Sequence, residues 1–264
     1  AARVEQVTET EVHAKVRETE AMFHMPPPGY DRVTEQVKPE DLRWAARVAV
    51  AEERLIADFA LDGLAYYYRG WDNNLYERIG ASMILGNSFL TARGIPCAGE
   101  ADLKTCVAMF IQEHFGAGGS FCEMYLLDFE NGIVVAGHDG PGHIGIGDKQ
   151  PILRGMKLFH GKAGAGVSVE FNVKNGPVTM LGVTQTGAGK LKLVAAEGES
   201  VPGPILQIGN TNTRVRFALP PGEFGQRWTE TGSTHHFALG VGHQLHKIEK
   251  LAKLLDLELD VVCR

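Results

Sequence analysis

Between Pro151 and Ala218 almost every residue reads as strand or turn, and this run constrains the fold more than any other feature of the chain. Val167–Val173 and Val178–Thr184 flank Asn175-Gly176, and Leu191–Ala196, Ile205–Ile208 and Arg214–Ala218 follow. Short strands at regular intervals predict a small barrel or sandwich. The preceding residues obey a different period. Residues 8–24 read as a helix that stops at Pro26-Pro-Pro28. Pro39-Glu-Asp41 opens a second helix, with proline in the first turn and acids near the positive end of the dipole. Leu42, Ala45, Val48, Ala49, Leu55, Ile56 and Phe59 recur at helical spacing, and Gly63 is the expected stop. Leu64–Tyr68 is a strand candidate, about Tyr76–Arg93 a third helix ended by Gly94, and Ile95–Ala98 another strand. Asp102 is placed to cap a fourth helix over Leu103–Phe115.

Alternating strands and helices predict a parallel, layered α/β sheet, in which ligands bind beyond the carboxyl ends of the strands. Gly119–Phe129 and Ile133–His138 surround Asn131-Gly132, a hairpin dipeptide. The chain ends with a helix over about Ala238–Leu255 and a strand over Leu257–Val262. The expected fold is therefore α/β plus β. A partial parallel α/β-sheet domain spans 1–150, and a small antiparallel β-barrel-like domain, closing with a helix and a strand, spans 151–264.

The 264 residues suffice for one large domain or two ordinary ones. A net charge of −6 argues against nucleic acid as a partner. No apolar run is long enough for a membrane span, and Ala1-Ala-Arg-Val-Glu leads into a charged stretch rather than a signal peptide. Cys97, Cys106, Cys122 and Cys263 form no CxxC pair and read as free thiols of a cytoplasmic protein. The chain starts without methionine in a helical pattern, as a trimmed or partial chain would.

Four residues stand out as possible metal ligands. Glu100 follows a strand and precedes a helix; it either caps that helix or serves a site, and Asp102 is the better cap. Glu123 shares a strand face with Phe121 and Tyr125 and needs a partner, a metal or water on that face. His138 enters the loop Gly137-His-Asp-Gly-Pro-Gly-His143, as a turn residue or a ligand, with His143 its competitor. In His235-His236 adjacent side chains diverge, so one binds metal and the other meets substrate, or both merely open a polar helix. His243 and His246 read as a solvated helix face. Carboxylate oxygen with imidazole nitrogen suits manganese and its neighbours. Gly187-Ala-Gly-Lys190 is not a phosphate loop, Gly161–Gly166 is not a dinucleotide fingerprint, and no Gly-x-Ser-x-Gly elbow occurs.

Taken together, Ala98-Gly-Glu-Ala-Asp-Leu-Lys-Thr105, Ser120-Phe-Cys-Glu-Met-Tyr125, Gly137-His138, His235-His236 and Trp44-Ala-Ala-Arg47 carry a resemblance. From about residue 8 onward the chain resembles the middle and C-terminal parts of the L-arabinose isomerase and L-fucose isomerase family. The resemblance implies a metal-dependent aldose–ketose isomerase for an unphosphorylated sugar. It implies Glu100, Glu123, His138 and His236 as ligands of Mn2+, with Glu100 and Glu123 also the acid/base pair working through an enediol. His235 and Tyr125 are expected at the substrate. The family further implies a trimer or hexamer with a Rossmann-like N-terminal domain. Asp139-Gly-Pro-Gly-His143, Asn210-Thr-Asn-Thr-Arg214 and Gly240-Val-Gly-His243 depart from its pattern. Two other classes fit the donors: a non-haem iron oxygenase, and a non-catalytic sugar-binding or assembly module.

Overall fold

The computed structural model describes residues 1–29, 35–67, 74–155 and 166–264. Helices come first. After α1 (Ala2–Glu5), α2 (Glu9–Met22) starts on a capping box: Thr8 Oγ1 accepts the Glu11 N–H and Glu11 accepts the Thr8 N–H. Helix α3 (Pro39–Phe59) opens on Pro39 as expected but ends at Ala60, in the left-handed region at φ 48°, three residues before Gly63. The single helix expected at 76–93 is two, α4 (Leu75–Ala81) and α5 (Ile84–Ala92). Ser82 sits at the joint. Its hydroxyl donates to the Arg78 carbonyl and accepts from the Trp44 indole, which competes with helix propagation.

Strands β1 (Leu64–Ala65) and β2 (Cys97–Ala98) pair in parallel, and α6 (Leu103–His114) follows. The strand expected to reach Tyr68 continues one bond further, from Tyr66 N–H to the Ala98 carbonyl; position 68 lies outside the described residues. The described parallel sheet is this small pair.

The larger sheet is a closed barrel. Its strands are β3 (Ser120–Asp128), β4 (Ile133–His138), β7 (Gly176–Gln185), β8 (Leu191–Ser200), β9 (Thr211–Phe217) and β10 (His236–Val241). In space they run β8, β7, β10, β3, β4, β9, each antiparallel to the next, and β9 returns to β8 through Gly198↔Phe217 and Ser200↔Val215. Strands from both sides of position 150 share it. The Asn131-Gly132 hairpin forms as expected, with Asp128 opposite Ile133. Strands β5 (Ile152–Gly155) and β6 (Val167–Glu170) pair separately, so the turn at Asn175-Gly176 passes between sheets.

Two C-terminal expectations are corrected. Residues 236–241 are strand β10, and the helix is only α8 (Leu245–Leu254). Pairing with β3 on one side and β7 on the other outweighs the helical spacing, and Gly242 at φ 80° forces a turn before α8. Ile205–Ile208 is not a strand, because the Asn212 side chain takes both the N–H and the carbonyl of Leu206, the bonds a partner strand would need. Helix α7 (Pro221–Glu230), unanticipated, buries Phe224 and Trp228 one turn apart; β11 (Glu258–Cys263) lies parallel to β8.

Strands β7, β8 and β10 are apolar on both faces. Val178, Met180, Val194, Ala196, Phe237 and Leu239 form one core, and Leu181, Val183, Ala195 and Ala238 form another with Met109 of α6 and Ile248 of α8. The buried Gln112 amide donates to the Thr179 and Ala238 carbonyls, fastening α6 to the barrel. A side chain at Gly240 would overlap that amide. Among the described residues no helix is long and apolar enough to cross a membrane.

Candidate functional site

Where β2 meets α6 the chain makes an unusual turn. Glu100 and Ala101 both adopt left-handed conformations, φ 55° and 57°. Each such non-glycine residue costs roughly 1–3 kcal/mol and needs surrounding structure to hold it. Here the Ala101 N–H donates to Tyr66 O at 2.8 Å and the Asp102 N–H to Gly99 O at 3.0 Å. The turn puts the Glu100 carboxylate past the carboxyl ends of β1 and β2, facing the barrel.

Asp102 caps α6 through Thr105 N–H at 2.9 Å, as expected, and it has a second duty. Its Oδ2 lies 3.0 Å from His236 Nδ1. A carboxylate only accepts, so Nδ1 carries a proton. That Nε2 is buried with no hydrogen-bond partner among the described residues and stands 3.8 Å from Glu100 Oε2. His138 Nε2 stands 3.7 Å from the other oxygen, Glu100 Oε1. Both separations are too long for direct hydrogen bonds. Phe121 packs against both imidazoles, 4.5 Å from the His138 ring and 4.4 Å from the His236 ring, and the two imidazole rings lie 5.2 Å apart. His138 is anchored by its backbone, which both donates to and accepts from the Thr211 hydroxyl.

The electrostatics follow from this placement. The neighbouring His138 imidazole, with His236 and His235, outweighs partial burial and draws Glu100 down to about 2. Burial alone would raise Asp102, but hydrogen bonds from His236 and Thr105 hold it at about 2. Burial pushes the Tyr125 phenol well up, and the charges of Asp139 and Glu123 add to it.

Glu100, His235 and His236 each offer a ligand atom within 4.8 Å of one another. The two histidines do not diverge as strand alternation suggests, because β10 begins at His236 and His235 lies just outside it; their rings are 3.8 Å apart. Glu123 is the direct cross-strand neighbour of His236 and of Gly137, yet forms no ion pair with either imidazole among the described residues. Tyr125 sits in the β3 bulge, its hydroxyl 3.4 Å from Asn210 Nδ2. His143 turns elsewhere, to Glu113 at 3.1 Å. His243 precedes α8 and lies 3.2 Å from the Gly198 carbonyl. Carboxylate oxygens facing imidazole nitrogens form a donor set that fits a divalent cation.

Residues 118–258 match the sequence model of the L-arabinose isomerase C-terminal domain, more than half of the chain. The chain belongs to the L-arabinose isomerase C-terminal domain family. The family span holds Glu123, His138, His235 and His236, whereas Glu100 and Asp102 precede it. A sulfoquinovose isomerase from Alkalicoccus urumqiensis is 26% identical over 214 residues, covering 80% of this chain and 47% of that protein. One from Priestia aryabhattai is 26% identical over 204 residues, 76% of this chain and 44% of that protein. The chain thus spans about half the length of the curated relatives it matches.

Sequence reasoning assigned Asp102 only its helix cap and missed its hold on His236. Its place two residues after Glu100 in a predicted strand–helix turn was the available signal. Phe121 and Thr211, which position His138, carried none.

Proposed function

We propose that this chain carries the metal-binding and acid–base residues of an aldose–ketose isomerase for an unphosphorylated sugar. The observation that carries the reading is the buried, unpartnered His236 Nε2, fixed by Asp102 and facing Glu100 with His138 opposite. A nitrogen buried without a partner is costly, and a cation shared with Glu100 satisfies it. Glu100 and His236, with His138, Glu123 or His235, would hold Mn2+. Bound there, the ion supplies Lewis acidity toward the oxygens of the open-chain sugar.

The proton work falls to the carboxylates. Glu100, which faces both imidazoles, serves as a ligand. Glu123 then removes the proton from C2 and returns it to C1, while Glu100 serves the exchange between the oxygens, by way of an enediol. His235 and Tyr125 bind sugar hydroxyls. The named activity of the relatives supports an aldose substrate. In this reading the working assembly is a trimer or hexamer of a longer subunit with an N-terminal domain.

The test is ketose formation from a panel of unphosphorylated aldoses by the complete gene product, in manganese and then in excess chelator. Chelator-sensitive turnover is expected. Folded, metal-loaded protein inert toward every sugar would refute the reading.

A further inference from the structure

Both imidazoles of the candidate site turn the same nitrogen toward Glu100. His138 Nε2 stands 3.7 Å from one carboxylate oxygen and His236 Nε2 3.8 Å from the other, so a cation beside Glu100 meets Nε2 of each ring. An imidazole that binds a cation through Nε2 keeps its proton on Nδ1, and in a buried ring that proton needs an acceptor. His236 has one in Asp102, at 3.0 Å. His138 Nδ1 is buried and has no hydrogen-bond partner among the described residues.

The next residue supplies what that nitrogen lacks. Asp139 Oδ1 lies 3.5 Å from His138 Nδ1, a few tenths of an ångström beyond a hydrogen bond, and a small side-chain rotation closes the gap. The Asp139 side chain is only 20% exposed. Its carboxylate lies close enough to Tyr66 that its charge adds to burial and to Glu52 in raising that phenol. Gly140 keeps the approach to the ring open, because a Cβ there would stand 3.1 Å from His138 Nδ1. Asp139 belongs to a segment in which the chain departs from the family pattern.

We propose that Asp139 is a positioning residue for the cation site: its carboxylate accepts the His138 Nδ1 proton and so presents Nε2 to the ion, as Asp102 does for His236. Each imidazole then has its own carboxylate behind it, one from the start of α6 and one from the loop after β4. This rests on the cation site of the isomerase reading and concerns what holds the ion, not which sugar is turned over.

The experiment is a zinc titration of the 264-residue protein at neutral pH, with isotope-labelled histidines followed by NMR and zinc as the diamagnetic probe. In the wild type His138 and His236 should both bind through Nε2 and show Nδ1–H protons that exchange slowly with water. Asp139→Ala should lose the protected proton at His138 and keep the one at His236, and Asp102→Asn should weaken protection at His236 alone. Zinc affinity, by competition with a chelator, should fall about tenfold in Asp139→Ala, the lower end of what a lost outer partner costs. Asp139→Asn keeps the size of the side chain and a neutral acceptor, so it tests the proposal even where the alanine protein does not fold; its affinity should fall about threefold. Zinc affinities in both variants equal to that of the wild type overturn the proposal, as does zinc bound through His138 Nδ1. So does a loss of affinity with the His138 proton still protected, which is what a packing role alone would give. A fall in sugar affinity with zinc binding unchanged overturns it too and gives Asp139 to the substrate. Zinc binding with the Asp139 effect but no turnover of any sugar leaves this proposal and removes the isomerase reading. Chelator-sensitive turnover with no effect at Asp139 does the reverse, and folded wild type that takes up no zinc removes both.

Discussion

The two halves of the candidate site are held by different physics. His138 and His236 come from the ends of barrel strands, are each 3% exposed, and are each paired on one side, His138 with Thr211 and His236 with Glu123. Glu100 comes from a turn of two left-handed residues and is 38% exposed at its side chain. Asp102 bridges the halves, capping α6 with one set of contacts and holding His236 with another. A site built this way joins imidazoles set by strand pairing to a carboxylate set by a turn.

The largest effect expected from breaking the barrel half is chemical. Glu123→Gln keeps the size of the side chain and removes its basicity, so ketose formation should fall by about 10²–10⁴-fold. Near-normal turnover would take Glu123 out of the mechanism. Breaking the bridge comes next. Asp102→Asn keeps an acceptor for the α6 cap but loses the charge that fixes the His236 tautomer, and manganese affinity by calorimetry should drop about 10–100-fold. The same variant has a pH signature. A carboxylate held at about 2 in the folded protein stabilises it above the unfolded value near about 4 and loses that contribution as pH falls toward about 2. The difference in melting temperature between wild type and Asp102→Asn, measured without metal, should therefore be widest above pH about 4 and shrink toward pH about 2. A gap that is flat with pH would place the effect in packing.

A purely structural break of the barrel half should be smaller in free energy. A methyl group at Gly137 would overlap the Thr211 carbonyl across the β4–β9 pairing. Gly137→Ala should cost about 1–3 kcal/mol in urea unfolding, the usual range for overpacking. It should also displace His138 and weaken metal binding. Unchanged stability would show that the rim of the barrel yields more readily than its pairing implies.

The barrel was largely legible because strand and turn signals are local. The hairpin at Asn131-Gly132 and the cap at Asp102 are set by residues within a few positions. What escaped depends on strand partners and on side-chain contacts that composition does not show. Residues 236–241 carry a helical spacing, and only the presence of β3 and β7 on either side makes them a strand. Ile205–Ile208 has strand composition, and the Asn212 amide cancels it. Ser82 split a helix through contacts with Trp44 and Arg78. The candidate site was proposed from residue types and order, chiefly through family resemblance. The approach of His235, the second duty of Asp102 and the strain at Glu100 are properties of the assembled turn.

The smallest effect is the most specific to the turn half, because its sign is opposite to that of Gly137→Ala. Ala101 is held at φ 57°, where an alanine is penalised and a glycine is not. Ala101→Gly removes that penalty but enlarges the freedom of the unfolded chain, so the net change in stability should lie within about 1 kcal/mol and favour the folded state. If the turn is strained to hold Glu100 in place, relaxing it should stabilise the protein slightly while lowering metal affinity. A gain in stability with unchanged affinity would mean that the Tyr66 and Gly99 carbonyls alone position the carboxylate. A loss of stability would mean that Ala101 is not under strain, and the contrast between the two halves would then rest on burial alone.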